Sequence, residues 1–575
     1  MIKTFSPYIK EYRWQAILSP ILMLIEVLAD VYIPFVMRDI VNIGIMNNDT
    51  SVVINLGMRM IIAAMIAMVC GMISARVGAV AGYGFGTNVR AGLFGKIQAF
   101  SFGNLDTFSV PSLITRLTND CNNVSQAMMM ALRLGVRAPA MFIFALIMAF
   151  QVDRELVKIF LVAIPILVAI ITIIIIKANP RFRDMQVKVD DLNANVQEGL
   201  TNIREIKSFV REDHEKRKFK KSNDNLMHSA YRAISLVIIS MPVAQLVIYG
   251  TIIALLWIGG QDLITGRLGP GDLISFLAYV AQIMMSLMMV TMVFLQFVRA
   301  KASADRIQDV LNTEVDLVNP VTPITEVADG SIQFKNVSFY YPGSENATLK
   351  NITFNIQPGE VFGILGATGS GKSSLLSLIP RLYDVSEGQV LVGGNDVRDY
   401  DLETLRDAVS IVLQQNTLFS GTIRENMHWG DEQASDEEII EALKHAQAWE
   451  FVSKLADGLD HHVEQGGSNF SGGQKQRLCI ARSLIKHPKV LILDDSTSAV
   501  DMDTDAKIRR SFANDYPNIT KIIIAQRIAS IENADHILVL DEGQVNSIGT
   551  AEELLETSTI YQEIYESQQR GVISE

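Results

Sequence analysis

The chain has 575 residues, of which 49% are hydrophobic and only 19% are charged, with a formal net charge of −12. Soluble domains carry roughly 25% charged residues, so this composition together with long apolar runs excludes a disordered, fibrous or wholly soluble protein. The charge is divided unevenly, since residues 321–575 carry −18 and residues 1–320 carry +6. An acidic second half argues against a surface for polyanions, and we expect no nucleic-acid partner.

Six apolar segments in the first 300 residues have the length of membrane spans. The purest is an uninterrupted apolar run of 18 residues, IFLVAIPILVAIITIIII. At about 1.5 Å of rise per residue, such a helix crosses most of a bilayer core. The sequence therefore predicts six transmembrane helices in a lipid bilayer, near Trp14–Met37, Ile54–Tyr83, Met128–Phe150, Ile159–Ile176, Leu236–Ile258 and Leu273–Phe297.

The connections between spans two and three and between spans four and five are long and polar, and the second is rich in Lys and Arg. Because basic residues accumulate in cytoplasmic loops, we expect these connections and both termini on the cytoplasmic side. The second connection also repeats apolar residues at helical spacing. The residues alone leave two interpretations open, namely helical extensions of the spans or a solvated basic loop. The repeated residues are Val196, Leu200, Ile203, Ile206 and Val210.

Two of the spans carry charged residues four positions apart, on one face of the helix. Glu26 and Asp30 are four residues apart on one helix, and Arg133 and Arg137 are four residues apart on another. Ionisable groups in a membrane usually face the bundle interior or a water-filled cavity. Three interpretations of these charged residues are open. They line a substrate pathway, they form a neutralising pair between helices, or the arginines reach to the membrane interface.

Span six carries methionines at helical spacing, at Met284, Met288 and Met292. Flexible thioethers suit a surface that accepts many apolar shapes. One interpretation is therefore that these methionines line a hydrophobic substrate cavity together with Glu26 and Asp30. The other is that they are ordinary core or lipid-facing side chains.

A domain boundary follows the last span. Apolar character falls after residue 300, and Pro320, Pro323 and Gly330 interrupt the chain. We predict a membrane domain at residues 1–300, a linker at 301–330 and a second domain at 331–575. The second domain opens with strand patterns in SIQFKNVSFYY, ITFNIQ and VFGILG.

A complete G-x-x-x-x-G-K-[ST] motif follows VFGILG and precedes an apolar helix, SSLLSLIPRLY. In this context the backbone N–H groups and the helix N-terminus converge on phosphate oxygens, the lysine reaches the outer phosphates and the serine hydroxyl ligates Mg²⁺. The motif predicts that ATP and Mg²⁺ bind here. The predicted binding residues are Gly366, Ala367, Thr368, Gly369, Ser370, Gly371, Lys372, Ser373 and Ser374.

The metal side of such a site needs an apolar strand that ends in aspartate, and KVLILDD supplies Asp494. Just upstream, the run Asn469-Phe470-Ser471-Gly472-Gly473-Gln474 resembles the signature sequence of ATP-binding cassette (ABC) transporters. The resemblance covers nearly the whole chain. It implies a six-helix all-α transmembrane domain of the exporter type, followed by an α/β P-loop nucleotide-binding domain.

The resemblance also implies roles for further residues. Tyr341 matches the aromatic residue that stacks on adenine, and Gln414 matches the glutamine that touches Mg²⁺ and couples to the membrane domain. Residues 498–501 match the loop that crosses between paired cassettes, and the signature residues Ser471, Gly472, Gly473 and Gln474 would face a partner's ATP. Residues 113–120 and 197–209 resemble the cytoplasmic coupling regions of exporters, which favours helical extensions in both connections.

Two positions depart from the family pattern. Asp495 stands where the family has a glutamate as general base, and Gln526 stands where it has a histidine that contacts the γ-phosphate. Aspartate is shorter by one methylene, about 1.5 Å of reach. The resemblance implies that Ser373, Gln414 and Asp494 are the metal ligands, and all three match the family pattern. We therefore expect this site to bind ATP and to hydrolyse it slowly.

This pattern resembles the degenerate-site subunit of bacterial heterodimeric multidrug exporters. It implies a related partner half with an intact Glu and His, and hydrolysis mainly at the composite site formed by the partner's Walker motifs and this chain's signature. The expected function is ATP-driven export of hydrophobic or amphipathic compounds across the bacterial plasma membrane. Alternatives are an active homodimer in which both substitutions are tolerated, acting as a lipid or peptide flippase, and an ATP-gated membrane module.

Overall fold

A computed structural model describes residues 2–495, 500–525 and 527–573. These residues form two compact units. The membrane unit comprises the chain up to Gly95 together with Ile114–Asn312. The ATP-binding unit comprises Lys96–Leu113 together with the chain from Thr313 onward, so it is discontinuous in sequence.

The membrane unit is built from long helices. Among the described residues, six helical stretches are long and apolar enough to cross a bilayer, and each contains one of the predicted spans, which confirms the predicted fold class. Their bounds are Ser6–Ile45, Thr50–Gln98, Val110–Val152, Lys158–Thr201, Glu212–Ile264 and Pro270–Asn312.

Two of these helices extend far beyond their apolar runs. Lys158–Thr201 has 44 residues and Glu212–Ile264 has 53. The interpretation of the second connection as helical extensions is therefore confirmed, because the polar stretches continue the same helices. At their tip lie the short helix Ile203–Ser208 and the exposed side chains of Phe209 and Val210.

The last membrane helix, Pro270–Asn312, continues well past residue 300. The segment described above as a linker from residue 301 therefore begins as helix, and the irregular chain starts only after Asn312. Apolar periodicity ends near residue 300 because the helix there carries polar residues such as Lys301 and Asp305, although it makes the same backbone hydrogen bonds.

Aliphatic side chains, with alanines and a few aromatic rings, form the core of the membrane unit. The rings of Phe160 and Phe276 stack with centroids 5.7 Å apart, and Tyr279 is fully buried. The Tyr279 hydroxyl donates a 3.0 Å hydrogen bond to the carbonyl oxygen of Val31, which satisfies a polar atom that would be costly to bury alone.

The ATP-binding unit is an α/β domain. Twelve strands occur in the part of the chain that the structure describes. They are β1 Ile332–Phe339, β2 Leu349–Ile356, β3 Val361–Leu365, β4 Glu387–Val392, β5 Asn395–Asp396, β6 Val409–Val412, β7 Gly421–Thr422, β8 His462–Val463, β9 Val490–Asp494, β10 Thr520–Ile524, β11 His536–Asp541 and β12 Gln544–Gly549. The strands predicted from SIQFKNVSFYY, ITFNIQ and VFGILG correspond to β1, β2 and β3.

Helices pack around these strands. Those from the C-terminal half are Lys372–Leu378, Leu402–Ala408, Ile423–Met427, Asp436–His445, Trp449–Val452, Gly472–Ile485, Met502–Asp515, Ala551–Thr557 and Thr559–Ile573. A six-stranded sheet has the order β12-β11-β3-β10-β9-β6, in which β11, β3, β10, β9 and β6 run parallel. A four-stranded antiparallel sheet has the order β2-β1-β4-β5. In open parallel sheets ligands bind at the carboxyl ends of the strands.

One short helix of the ATP-binding unit comes from the connection between spans two and three. It covers Phe102–Thr107 and begins at a capping box, in which Ser101 and Asn104 each bond the other's backbone N–H with a side-chain oxygen. The Asn104 amide also donates a 3.0 Å hydrogen bond to the carbonyl oxygen of Glu314. The coupling region proposed for this connection at residues 113–120 lies downstream of this helix, in the stretch Val110–Val152.

Candidate functional site

The glycine-rich motif forms a loop between β3 and the helix Lys372–Leu378. Gly369 and Gly371 have φ of +86° and +99°, a conformation that side chains with a Cβ rarely adopt. A Cβ on Gly366 would overlap the carbonyl oxygen of Leu540 on β11 and lie 2.7 Å from Ser370 Oγ. These glycines therefore allow the tight turn that a phosphate-binding loop requires.

Lys372 folds over this loop. Its Nζ donates hydrogen bonds of 2.8 Å and 2.7 Å to the carbonyl oxygens of Gly366 and Ala367. Burial lowers the pKa of Lys372, and the negative charges of Asp494 and Asp495 oppose that shift. The ammonium is thus held at the mouth of the loop, where an incoming phosphate competes with two neutral carbonyls for it.

The sheet register brings the glycine-rich loop and Asp494 to the same edge of the sheet. Ile524 of β10 pairs with Ile364 of β3 on one side and with Asp494 of β9 on the other. Because all three strands run parallel, the chain after Ile364 and the Asp494 side chain emerge together at the carboxyl end of the sheet. This register explains why two motifs far apart in sequence form one site.

Ser373 and Asp494 meet directly. Ser373 Oγ donates a hydrogen bond of 2.9 Å to Asp494 Oδ2. Burial raises the pKa of Asp494, whereas the Ser373 hydrogen bond and the charge of Lys372 oppose the rise. A hydroxyl beside a carboxylate is the kind of oxygen pair that a hard divalent cation prefers, so these two residues fit the predicted metal site.

Gln414 lies in an exposed bend just after β6. Strand β6 pairs in parallel with β9, with Val412 opposite Leu493. Gln414 therefore follows its strand at the same edge of the sheet at which Asp494 ends β9. The structure places it near the site's edge, and among the described residues no hydrogen bond joins Gln414 to Ser373 or Asp494.

Asp495 directly follows Asp494 and has a left-handed conformation, with φ of +49°. Its backbone N–H donates a 3.1 Å hydrogen bond to the carbonyl oxygen of Ile524, and its own carbonyl accepts one of 3.3 Å from the buried amide of Gln476. Burial and the adjacent Asp494 raise the pKa of Asp495, while Lys372 and Arg527 oppose the rise. Gln476 was not identified from the sequence, because nothing in the pattern shows that it holds this backbone.

The signature residues open a regular helix. Ser471 caps the helix Gly472–Ile485 in a capping box with Gln474. The backbone N–H of Gln474 donates a 3.3 Å hydrogen bond to Ser471 Oγ, and the backbone N–H of Ser471 donates one of 2.9 Å to Gln474 Oε1. Ser471 and Gly472 are exposed, and Gly473 is half-buried. The N-terminal end of this helix is thus exposed at Ser471 and Gly472.

Tyr341 lies beside the phosphate-loop helix. Its hydroxyl is 2.9 Å from Ser374 Oγ. Its ring packs edge-on against the rings of Phe339 and Tyr383, with centroid distances of 4.9 Å and 5.4 Å. The structure therefore brings together Tyr341, Lys372, Ser373, Asp494 and Asp495 on one unit. Residues 496–499 and Gln526 lie outside the described residues, so the loop at 498–501 is described only from Val500 onward.

Comparisons with known proteins show the family to which this chain belongs. A family model for the ABC transporter transmembrane region matches residues 16–287, and a second family model, described as ABC transporter, matches residues 349–498. The uncharacterized ABC transporter ATP-binding protein YfiB of Bacillus subtilis is 40% identical over 98% of this chain and 97% of its own length. The chain is an ABC exporter half-transporter.

The chain is also similar to exporters from other bacteria. An uncharacterized ABC transporter ATP-binding protein of Mycobacterium tuberculosis is 38% identical over 99% of this chain and 98% of its own length. The ATP-dependent lipid A-core flippase of Haemophilus influenzae is 33% identical over 84% of this chain and 82% of its own length. A solved bacterial Atm1-family ABC exporter with ATP bound shares the fold, with a TM-score of 0.80 at 23% identity, over 96% of this chain and 98% of that one.

The membrane unit of the exporter half brings two of the predicted substrate-pathway residues together. Arg137 of span three forms ion pairs with both Glu26 and Asp30 of span one, and the Asp30 pair is 3.0 Å long. Arg133 does not join them, because its stem packs against Gly78 of span two. The sequence indicated charges on both helices but not which arginine faces the acids.

The methionines of span six are divided between two environments. Met284 is fully buried in the core of the membrane unit, and Met288 packs against the same core. Met292 is 71% exposed. At 100° per residue, a spacing of four turns the helix by 40° each time, so Met292 lies about 80° around the helix from Met284 and outside the buried part of that face.

Proposed function

We propose that this chain is one half of a heterodimeric ABC exporter whose own ATP site binds nucleotide and hydrolyses it slowly. The observation that carries the proposal is the residue after Asp494. At that position the carboxylate of Asp495 is attached by a side chain one methylene shorter than that of the usual glutamate. Gln526, at the position of the γ-phosphate histidine, adds a second departure.

Reach rather than basicity limits Asp495. Burial raises its pKa, which would make it a stronger base than an exposed aspartate. Its backbone, however, is held by hydrogen bonds to Ile524 and Gln476, so the main chain does not advance to replace the missing methylene. A misplacement of about 1 Å costs on the order of 10²-fold in rate.

Binding is proposed to be intact at the same site. Lys372 would hold the outer phosphates, and Ser373, Asp494 and Gln414 would hold Mg²⁺, which neutralises charge that develops on the phosphates. The exposed end at Ser471 and Gly472 would close over the phosphate loop of a partner that has its own Glu and His. Hydrolysis then occurs mainly at that composite site.

The proposed transport reaction is outward movement of hydrophobic or amphipathic compounds across a bacterial plasma membrane, with both termini cytoplasmic. The basic excess of the second long connection supports this orientation. Bacterial relatives support the location.

A homodimeric lipid or peptide flippase is a second candidate, favoured by the similarity to a lipid A-core flippase. An ATP-gated membrane module is a third, and ion currents that follow ATP binding would identify it.

The proposal is tested by purifying the full chain alone, reconstituting it in lipid, and measuring ATP binding and steady-state hydrolysis in the same preparation. We expect saturable ATP binding with negligible turnover, and turnover on addition of a partner half. Rapid hydrolysis by the chain alone would overturn the degenerate-site proposal in favour of an active homodimer.

A further inference from the structure

A polar cavity lies between the two longest extended helices of the membrane unit, where both leave their apolar runs. It has a volume of about 500 Å³, which is within the range of small-molecule sites. The helix Lys158–Thr201 and the helix Glu212–Ile264 form its two walls. Its lining residues are Pro180, Arg181 and Asp184 on the first helix and Ser229 and Arg232 on the second.

Both arginines of this cavity lie at the depth of lipid headgroups. Arg181 is five residues beyond the apolar run 159–176, and Arg232 is four residues before the apolar segment 236–258. At about 1.5 Å of rise per residue, these separations are about 7.5 Å and 6 Å along the helices. The headgroup region of one leaflet is roughly 5–8 Å thick. The two arginines are therefore level with the phosphate groups of the adjoining leaflet.

The two guanidinium groups lie close together and keep most of their donors free. Arg181 Nη1 donates a 3.0 Å hydrogen bond to the backbone carbonyl oxygen of Arg232, which holds the Arg181 side chain at the turn of the second helix that carries Arg232. Among the residues that the structure describes, neither guanidinium forms an ion pair, and both arginines are exposed. The planar fork of a guanidinium matches the oxygens of a phosphate, so this pair provides two unused phosphate ligands.

The charges of the cavity are ordered along the helices. Asp184 and Ser229 each lie three residues further from the apolar runs than the arginine on the same helix. Ser229 Oγ donates a 2.7 Å hydrogen bond to Asp184 Oδ2. The arginines thus form the membrane side of the cavity and Asp184 its outer side, and the lining carries one net positive charge.

Apolar surface continues from the arginines toward the centre of the bilayer. Ile173 is seven residues from Pro180, and Ile239 is seven residues from Arg232, each on the membrane side. At 100° per residue, seven residues return to within about 20° of the same helix face. Both isoleucines are 53% exposed. A bound molecule can therefore place an anionic group beside the arginines and extend apolar chains along the isoleucines.

We propose that this cavity binds an anionic glycerophospholipid of the adjoining leaflet, with its phosphate beside Arg181 and Arg232 and its acyl chains along Ile173 and Ile239. Basic pockets between membrane helices recognise acidic headgroups in this way. A soluble phosphate compound would not use the apolar surface. The lipid site is separate from the proposed export function, and only its assignment to the cytoplasmic leaflet rests on the orientation proposed above.

The test uses phosphatidylglycerol and phosphatidylcholine with identical acyl chains, and glycerol 1-phosphate, which has a phosphate but no chains. Native mass spectrometry of the detergent-solubilised full chain gives the dissociation constant of the first bound lipid. Arg232→Gln, alone and with Arg181→Gln, lowers the charge of the lining. Asp184→Asn raises it and keeps an oxygen that accepts from Ser229. Lys220→Gln is the matched control, because it removes an exposed positive charge twelve residues further from the membrane on the helix that carries Arg232.

We expect phosphatidylglycerol to bind more tightly than phosphatidylcholine. Arg232→Gln should weaken phosphatidylglycerol binding by about fivefold and the double variant by about 30-fold, whereas Asp184→Asn should strengthen it. Lys220→Gln should leave it unchanged, and glycerol 1-phosphate should not compete. ATP binding in the same samples confirms folding. If the double variant does not bind ATP, Arg232→Gln alone is decisive, because Arg232 is exposed.

Equal affinity for the two lipids would overturn the site, as would an equal loss in Lys220→Gln and Arg232→Gln, because the attraction would then come from the overall basic charge. Weaker phosphatidylglycerol binding in Asp184→Asn would contradict its electrostatic basis. Competition by glycerol 1-phosphate would replace the lipid with a soluble phosphate compound. A dimer that forms without lipid and is lost in Arg232→Gln would show that a second copy covers the cavity. These measurements need neither transport nor ATP turnover, so failure of the export proposal would leave their outcome unchanged.

Discussion

The hydroxyl of Tyr383 donates a hydrogen bond of 2.7 Å to Oδ2 of Asp106. Asp106 belongs to the helix Phe102–Thr107, which comes from the connection between two membrane spans but is part of the ATP-binding unit. Burial and the neighbouring carboxylate raise the pKa of Tyr383, so the phenol stays protonated and remains a donor. The ring of Phe102 packs edge-on against the same tyrosine, with centroids 6.0 Å apart.

Replacing Tyr383 by phenylalanine should loosen the helix Phe102–Thr107 and leave nucleotide binding unchanged. The ring contacts with Tyr341 and Phe102 remain, and the loss of one hydrogen bond should cost about 1 kcal/mol of unfolding free energy. Thermal unfolding and ATP binding of the full chain measure both effects. Asp106→Asn is the control, since its amide oxygen still accepts the bond. An equal loss of stability in both variants would contradict the assigned role of the hydroxyl.

The double substitution Asp495→Glu with Gln526→His should raise ATP turnover at this chain's own site by about 10²-fold, because it restores the reach of the base. Steady-state phosphate release measures it. Asp495→Asn has no base and should give no increase, either alone or with Gln526→His. If the restored variant is as slow as the parent, another feature of the site limits hydrolysis.

Gly366→Ala should destabilise the nucleotide-free chain more than Gly369→Ala does. The added methyl at 366 meets the backbone carbonyl of Leu540, which cannot rotate away, and such overpacking costs about 1–3 kcal/mol. At 369 nothing lies within 4 Å of the added Cβ, so only the cost of its positive φ remains. Thermal unfolding without nucleotide compares the two. A larger loss at 369 would show that backbone conformation outweighs packing in this loop.

Asp494→Asn should stabilise the nucleotide-free chain at pH 7. A pKa raised in the folded state means that the folded chain holds the proton more tightly than the unfolded chain. Stability therefore falls as pH rises from about 4 through the folded pKa, and the ionised carboxylate is unfavourable above it.

The asparagine removes this cost, and we expect a gain of about 1 kcal/mol, or roughly 2–4 °C in Tm. Stabilisation by ATP with Mg²⁺ should be lost at the same time. Differential scanning fluorimetry across pH 5–8 measures the Tm without nucleotide and the rise in Tm on addition of ATP with Mg²⁺. The control is Glu345→Gln at an exposed position, which should change neither quantity. A lower Tm for Asp494→Asn at pH 7 would reverse the inferred sign.

Much of this architecture could be predicted from the sequence, because its signals are local. The apolar run Ile159–Ile176 indicates a membrane helix by composition alone, and the motif from Gly366 to Ser373 defines its own backbone shape. The position of Asp494 at the end of a buried parallel strand was also predictable, because KVLILDD is an apolar run that ends in aspartate.

The remaining features depend on which surfaces meet. Helical spacing put Arg133 and Arg137 on one face, but only packing shows that Arg137 pairs with Glu26 and Asp30. Similarly, no local pattern shows that Asn104 bonds the backbone at Glu314 across 210 positions of sequence. Contacts of this kind are set by tertiary geometry, which periodicity in one helix does not encode.

The discontinuous ATP-binding unit has a consequence for biosynthesis. Residues 96–113 leave the ribosome about 200 positions before Thr313, where the rest of their unit begins. At about 5–20 residues per second, this interval is on the order of 10–40 s. During that time the helix Phe102–Thr107 cannot form its hydrogen bonds to Glu314 and Tyr383, because these residues have not yet been made. We therefore expect translation speed and chaperones that cover this segment to influence how much of the chain folds correctly.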